Sequence, residues 1–302
     1  MNNIFQKTSS YWARYSEYEY RRGGDGHLYI TPAPTAKPSI YNPLANAEAM
    51  VVDALNVGRL AMKRDGEQAA QDAAMAFVTH YGLFGFMTAL PTTPDFVDYD
   101  AVYLPTNHFI KEETMATQEY LEIYFPFDKP DFYKDEKTAV WSFGGYIKDN
   151  RETMALAMTF SDEPLAMNMS LQRNYAERCD WIVTQCRDLA FTLVSSVLYY
   201  VDKDTADENT LDLFRQGIAA FGGVAPTYHI NLYPDGPTIV WDFHSLLRGL
   251  QMMFSFALTD QARPLRLCRQ CNMSFIAAHP NAAFCGPECK NQHNVNKSRG
   301  KS

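Results

Sequence analysis

Four cysteines packed into 22 residues near the end of the chain constrain its fold more than any other feature: Cys268-x2-Cys271, then Cys285-x3-Cys289. Structural zinc takes four tetrahedral ligands, commonly thiolates. Cys268 and Cys271, separated by Arg269-Gln270, suit a tight knuckle that aims two sulfurs at one point. In the second pair, Pro287 is favoured at a first helical position and Glu288 suits a helix N-terminus. A helix starting there carries Cys289 in its first turn and leaves Cys285 just outside. The residues between the halves, Asn272–Phe284, are expected to form a short hairpin with Phe275 and Phe284 as a small core. So short a segment buries too little apolar surface to fold unaided, so metal binding would supply its folding energy.

Close cysteine pairs in a cytosolic chain point to metal rather than disulfides, with free structural or redox thiols as the alternative. The expectation is one structural Zn2+ per chain on Cys268, Cys271, Cys285 and Cys289. Four thiolates close the coordination sphere and leave no place for a reactive water. His279 and His293 are alternative ligands by type, but four cysteines suffice, and both are read as polar surface residues. The knuckle, hairpin and helix together make a treble-clef-like or FCS-like finger.

Charge divides the chain in the same place. The 302 residues carry a formal net charge of −8, which taken as a whole disfavours nucleic acid as a partner. Yet residues 263–302 hold seven basic groups and one acid, a net +6, which leaves −14 on the remainder. Behind the last cysteine runs Lys290-Asn291-Gln292-His293-Asn294-Val295-Asn296-Lys297-Ser298-Arg299-Gly300-Lys301-Ser302, a stretch without an acid. Lys and Arg neutralise phosphates, and Asn and Gln pair with base edges. Arg266, Arg269, Lys290, Asn291, Gln292, Asn294, Lys297, Arg299 and Lys301 are therefore the candidate nucleic-acid contacts. A solvated, fraying terminus is the plainer alternative. Repulsion from the acidic body predicts modest, salt-dependent affinity unless the protein forms a homo-oligomer.

The first residues lack an apolar signal core, and no apolar run reaches the ~18 residues of a membrane span. A cytoplasmic protein without membrane contact is expected. Cys179 and Cys186 read as buried free thiols. Two turns apart on one helix, their α-carbons lie ~10 Å from each other, too far for a disulfide.

Along the chain, residues 1–40 look irregular, with a Gly-rich run at 23–26 and a Pro-rich run at 31–38. Apolar periodicity predicts helices from about Ala45, from Glu67 to Tyr81 with a stop at Gly82, from about Leu171 to Asp202, over Thr210–Phe221 and over Ser245–Leu258. Tyr228–Tyr233 and Thr238–Phe243 flank a turn sequence and predict a hairpin. Ala139–Phe143 reads as a short strand inside an acidic, aromatic middle, 95–165, that is hard to assign. The fold class expected is α+β: a predominantly helical body with a small antiparallel sheet over 41–262, sensing a signal or making an oligomer, and the finger over 263–302.

Several of these segments resemble bacterial proteins with a C-terminal CGNR-type zinc finger behind an ABATE-like helical domain, or related uncharacterised bacterial proteins with a four-cysteine ending. The resemblance runs through Tyr41-Asn42-Pro43-Leu44, Tyr81-Gly82-Leu83-Phe84-Gly85, Ser245-Leu246-Leu247 and the finger. It implies DNA binding and stress-linked transcription regulation. Where that family has Cys-Gly-Asn-Arg, this chain has Cys289-Lys290-Asn291-Gln292, so the Asn matches and the Arg is missing; Lys290 or Arg299 would take its role.

No Walker, zincin or nucleophile-elbow motif occurs. Arg22-x4-His27 sits in a Gly-rich loop, and His279-Pro280-Asn281 lacks the companions of an HNH nuclease. The chain is therefore read as a non-enzymatic zinc-finger DNA-binding regulator. The alternatives are a zinc-stabilised protein-interaction module and, behind it, a nuclease or toxin-type enzyme of a defence system.

Overall fold

The computed structural model describes residues 12–85, 101–104, 113–127, 132–134, 141–143, 173–222, 226–243 and 245–299. Its fold is α+β with small antiparallel sheets. The chain forms two compact units, one of residues 1–45, 78–182 and 224–249, the other of 46–77, 183–223 and 250–302.

In the first unit the described part of the segment expected to be irregular, from Trp12 on, is built of strands, and residues 1–11 lie outside the described residues. β1 (Trp12–Tyr15) pairs antiparallel with β4 (Pro38–Tyr41), and β2 (Tyr18–Arg22) with β3 (Leu28–Pro32). The Gly-rich run is the β2–β3 turn: Gly26 N–H donates to the Gly23 carbonyl over 3.0 Å. In the Pro-rich run, Pro38 opens an edge strand, a position where its missing N–H costs no ladder bond. Arg173 clamps that run from outside, its guanidinium donating to the carbonyls of Ala33 and Ala36 (3.2 and 2.8 Å).

Helices α1 (Ala47–Ala61) and α2 (Glu67–Tyr81) fall where the periodicity puts them. Gly82 ends α2 with φ +87°, left-handed backbone that glycine adopts without a Cβ penalty. Most of the acidic middle lies outside the described residues. Within it, β5 (Ala101–Leu104) pairs with β6 (Glu113–Ala116), α3 spans Thr117–Tyr124, and β7 (Phe132–Lys134) pairs with β8 (Trp141–Phe143). β8 is the described part of the strand expected at 139–143.

The helix expected from about Leu171 is interrupted. Glu177–Arg178 form a short strand, β9, that pairs with β3, and α4 runs from Cys179 to Asp202. Long-range sheet pairing overrides the local helical pattern there. α5 (Glu208–Ala219) is capped by Asp207, whose carboxylate accepts the Thr210 N–H over 3.0 Å. β10 (Thr227–Tyr233) and β11 (Gly236–Asp242) form the expected hairpin, with the two-residue turn Pro234-Asp235. Tyr228, Ile230 and Leu232 on one face stay exposed. α6 (Leu246–Thr259) buries Leu246, Leu247, Leu250, Met253 and Phe254, the stripe read from sequence.

In the second unit Gly58 of α1 lies against α4. A Cβ there would stand 2.1 Å from the Cys186 carbonyl oxygen, and backbone cannot yield as a side chain does. Gly58→Ala is therefore expected to lower stability by about 1–3 kcal/mol, read as a reduced urea midpoint. Both Cys179 and Cys186 are buried free thiols, as expected.

Candidate metal centre

The candidate metal centre is assembled by β12 (Leu265–Leu267), β13 (Ser274–Ile276) and α7 (Pro287–Ser298). β12 and β13 pair antiparallel, Leu265 opposite Ile276 and Leu267 opposite Ser274. The first cysteine pair thus sits in the turn of this hairpin. The hairpin expected between the cysteine pairs is displaced toward the N-terminus, because Leu265 and Leu267 supply its partner strand.

The knuckle closes through backbone hydrogen bonds. Cys268 N–H donates to the Met273 carbonyl (2.9 Å), and Asn272 N–H to the Cys268 carbonyl (2.8 Å). Asn272 takes φ +59°, the left-handed region that Asn enters more readily than other side-chain-bearing residues. The second half is joined to the first where Arg269 N–H donates to the Ala283 carbonyl over 3.0 Å. Gly286 precedes α7 in extended backbone and Pro287 opens it, so Cys285 stays outside the helix and Cys289 enters its first turn.

The result is that the Sγ atoms of Cys268, Cys271, Cys285 and Cys289 all lie within 4.8 Å of one another. Cys271–Cys285 and Cys285–Cys289 are 3.8 and 3.5 Å apart. A tetrahedral Zn–S shell with bonds of ~2.3 Å has sulfurs ~3.8 Å apart. The donor set therefore fits a soft-ligand, four-coordinate metal. Neither His279 nor His293 joins this cluster; the His293 ring lies 5.0 Å from that of Phe284.

Electrostatics favour thiolate at the deepest sulfur. Burial pushes the Cys268 thiol up, but the N–H groups of Cys271, Cys285 and Gln270 outweigh it and hold the thiol at about 6. Cys285 is raised, first by desolvation and then by hydrogen bonds with the neighbouring thiols. A bound cation favours the thiolate form of its sulfur ligands.

The apolar support is slight. Cys268, Phe275 and Ala277 are buried, with Ala282, Phe284, Cys271 and Cys289 packed around them. No residue of α7 is buried. Of the candidate nucleic-acid contacts, Arg266, Arg269, Lys290, Asn291, Gln292, Asn294, Lys297 and Arg299 are all at least partly exposed, and Lys301 lies outside the described residues. At 100° per residue, Lys290, Asn294 and Lys297 share one stripe of α7, whereas Gln292 and Arg299 turn to the opposite side. Gln292 donates to Asn296 over 3.0 Å. Arg263, basic like the others, is ion-paired to Glu48 of α1 at 2.8 Å.

Two residues near the knuckle carried no signal in the sequence. Asn56 and Arg59 of α1 reach residues 272–274, although they lie more than two hundred positions earlier. In sequence they are merely two polar positions in an amphipathic helix.

No family model, curated protein or solved structure matches this chain. No helix among the described residues is long and apolar enough to cross a membrane.

Proposed function

We propose that the chain is a cytoplasmic, zinc-binding regulator whose treble-clef-like finger binds DNA, with zinc in a structural role and no catalytic one. The convergence of four sulfurs within 4.8 Å carries the metal half of this reading. The DNA half is supported by an acid-poor helix on that centre with no buried residue, where Lys290, Asn294 and Lys297 form a stripe available to phosphates and base edges. Four thiolates and one Zn2+ add −2, so the loaded finger still carries about +4. The regulator assignment rests on the resemblance to CGNR-type proteins.

Fluorescence anisotropy of the zinc-loaded chain on duplex DNA tests this reading. If Lys290 and Lys297 each neutralise one phosphate, replacing both with Ala flattens the slope of log affinity against log salt by about 1.8. No binding at low salt, or a slope unchanged in the variant, removes the DNA reading. Metal-dependent cleavage of the duplex would instead favour the nuclease.

A second reading has its own support. The finger grips its own chain through Asn56, Arg59 and Glu48, which suits a zinc-stabilised interaction module with an incidental basic tail. Binding of a protein partner without DNA affinity would favour it.

A further inference from the structure

Resting on the metal reading above, the geometry points to helix α1 as the outer shell of the metal centre, with Asn56 and Arg59 as positioning residues that fix the Cys268–Cys271 knuckle.

The contacts have a common target, the three residues that leave Cys271 and enter β13. The Asn56 side-chain oxygen accepts the Ser274 N–H over 2.7 Å, and its amide nitrogen donates to the Ser274 carbonyl over 3.3 Å. Asn56 thereby binds both backbone groups of one residue, as a neighbouring strand would. One turn later, Arg59 Nε donates to the carbonyl of Asn272 over 3.2 Å. Asn272 is the left-handed residue immediately after Cys271. Between these two anchors, the Met273 carbonyl accepts the Cys268 N–H. A shift of residues 272–274 would move both sulfurs of the first pair.

The opposite side of α1 is held as well. Gly58, between Asn56 and Arg59 in sequence, meets the Cys186 backbone and the Ala190 side chain of α4. A helix fixed by α4 thus offers two polar groups to a loop whose own core is only three buried residues, Cys268, Phe275 and Ala277. Ligand orientation by an outer shell is worth about 10-fold to 100-fold in metal affinity. By linkage, metal must then stabilise the docking of the finger on α1 to the same degree.

The test uses the reduced full-length chain and Co2+, whose ligand-field and thiolate charge-transfer bands report tetrahedral sulfur coordination. The dissociation constant is obtained by titration, and zinc is added afterwards to displace the cobalt. Asn56→Ala and Arg59→Ala should each weaken Co2+ by about 10-fold or more, with a shifted ligand-field band. Arg59→Lys, which keeps a cationic donor on the same turn, should recover part of the loss. Gly217→Ala in α5 is the control for stability, since its Cβ would meet the Ser195 and Phe191 side chains of α4 rather than α1 or residues 272–274. If Gly217→Ala weakens cobalt as much as Asn56→Ala does, the effect is only stability and the proposal falls. It falls also if Asn56→Ala and Arg59→Ala bind as wild type, or, where they fail to fold, if Asn56→Asp, which keeps the acceptor for the Ser274 N–H but loses the donor to its carbonyl, binds as wild type. A wild-type chain that takes up no Co2+ or Zn2+ overturns the metal reading itself, a result distinct from the other two.

Discussion

Cys268→Ser or Cys285→Ser is expected to take the metal content from about one zinc per chain to near zero and to unfold the finger while the remaining helices persist. The reason lies in what holds α7. No residue of that helix is buried, and a free helix of 12 residues is marginal in water. Its attachment runs through Cys285 and Cys289, the two candidate ligands at its start, and through the Phe284–His293 contact. The finger core of Cys268, Phe275 and Ala277 is far too small to offset the ordering of some 35 residues. Structural zinc supplies an apparent ~10–16 kcal/mol in small finger peptides at neutral pH. Serine contributes a neutral hydroxyl in place of a thiolate, leaving an incomplete shell. Metal analysis after dialysis, with hydrogen exchange over 265–299, checks both halves. A serine variant that retains its zinc and its slow exchange in α7 would show that the cysteines are not the ligands.

The cysteine spacing made the centre legible because its geometry is local: a two-residue gap forms the knuckle, and Pro287 and Glu288 mark where the helix starts. The same locality made α1, α2 and α6 legible, since their apolar stripes and the stop at Gly82 are properties of short windows. The N-terminal strands were obscured by the Gly-rich and Pro-rich runs, which in the fold make the turns between them and, in the Pro-rich run, the end of β3 and the start of β4. Tyr18–Arg22 buries only Tyr18, and four of its five residues are Tyr or Arg, so no apolar–polar contrast reveals the period. Strand β9 becomes visible only through its pairing with Tyr29 and Ile30, a contact across much of the chain. Asn56 and Arg59 were invisible for the same reason. Their role depends on what α1 meets, and a helix sequence states only which face is apolar.

Glu177 illustrates the limit most sharply, because a carboxylate on a short strand is ordinarily read as surface. Its side chain is fully buried. One oxygen accepts the Phe84 N–H over 2.8 Å, and the other accepts the Gly85 N–H and the Tyr175 hydroxyl, the latter over 2.8 Å. The carboxyl thus ties the segment leaving α2 to the β2–β3–β9 sheet. Burial raises its pKa to about 7, against the lowering effect of those three donors. A folded pKa above the unfolded one means the native state binds more protons between the two values. Stability contributed here is therefore fully present below about 4.5 and declines as pH rises to about 7, by ~3 kcal/mol in all. Glu177→Gln removes that titration but sets an amide NH2 against a backbone N–H, since both oxygens are acceptors in the wild type. A protonated carboxyl keeps a lone pair on each oxygen, and an amide nitrogen does not. At pH 5 the Gln variant should be less stable than wild type by about 2–3 kcal/mol, and the difference should shrink toward pH 8 as the wild type loses its own stability. Urea unfolding of both proteins at a series of pH values measures the gap. A gap that stays constant from pH 5 to 8 would mean that Glu177 takes up its proton at the same pH folded and unfolded, and that its three donors balance the cost of burying its charge.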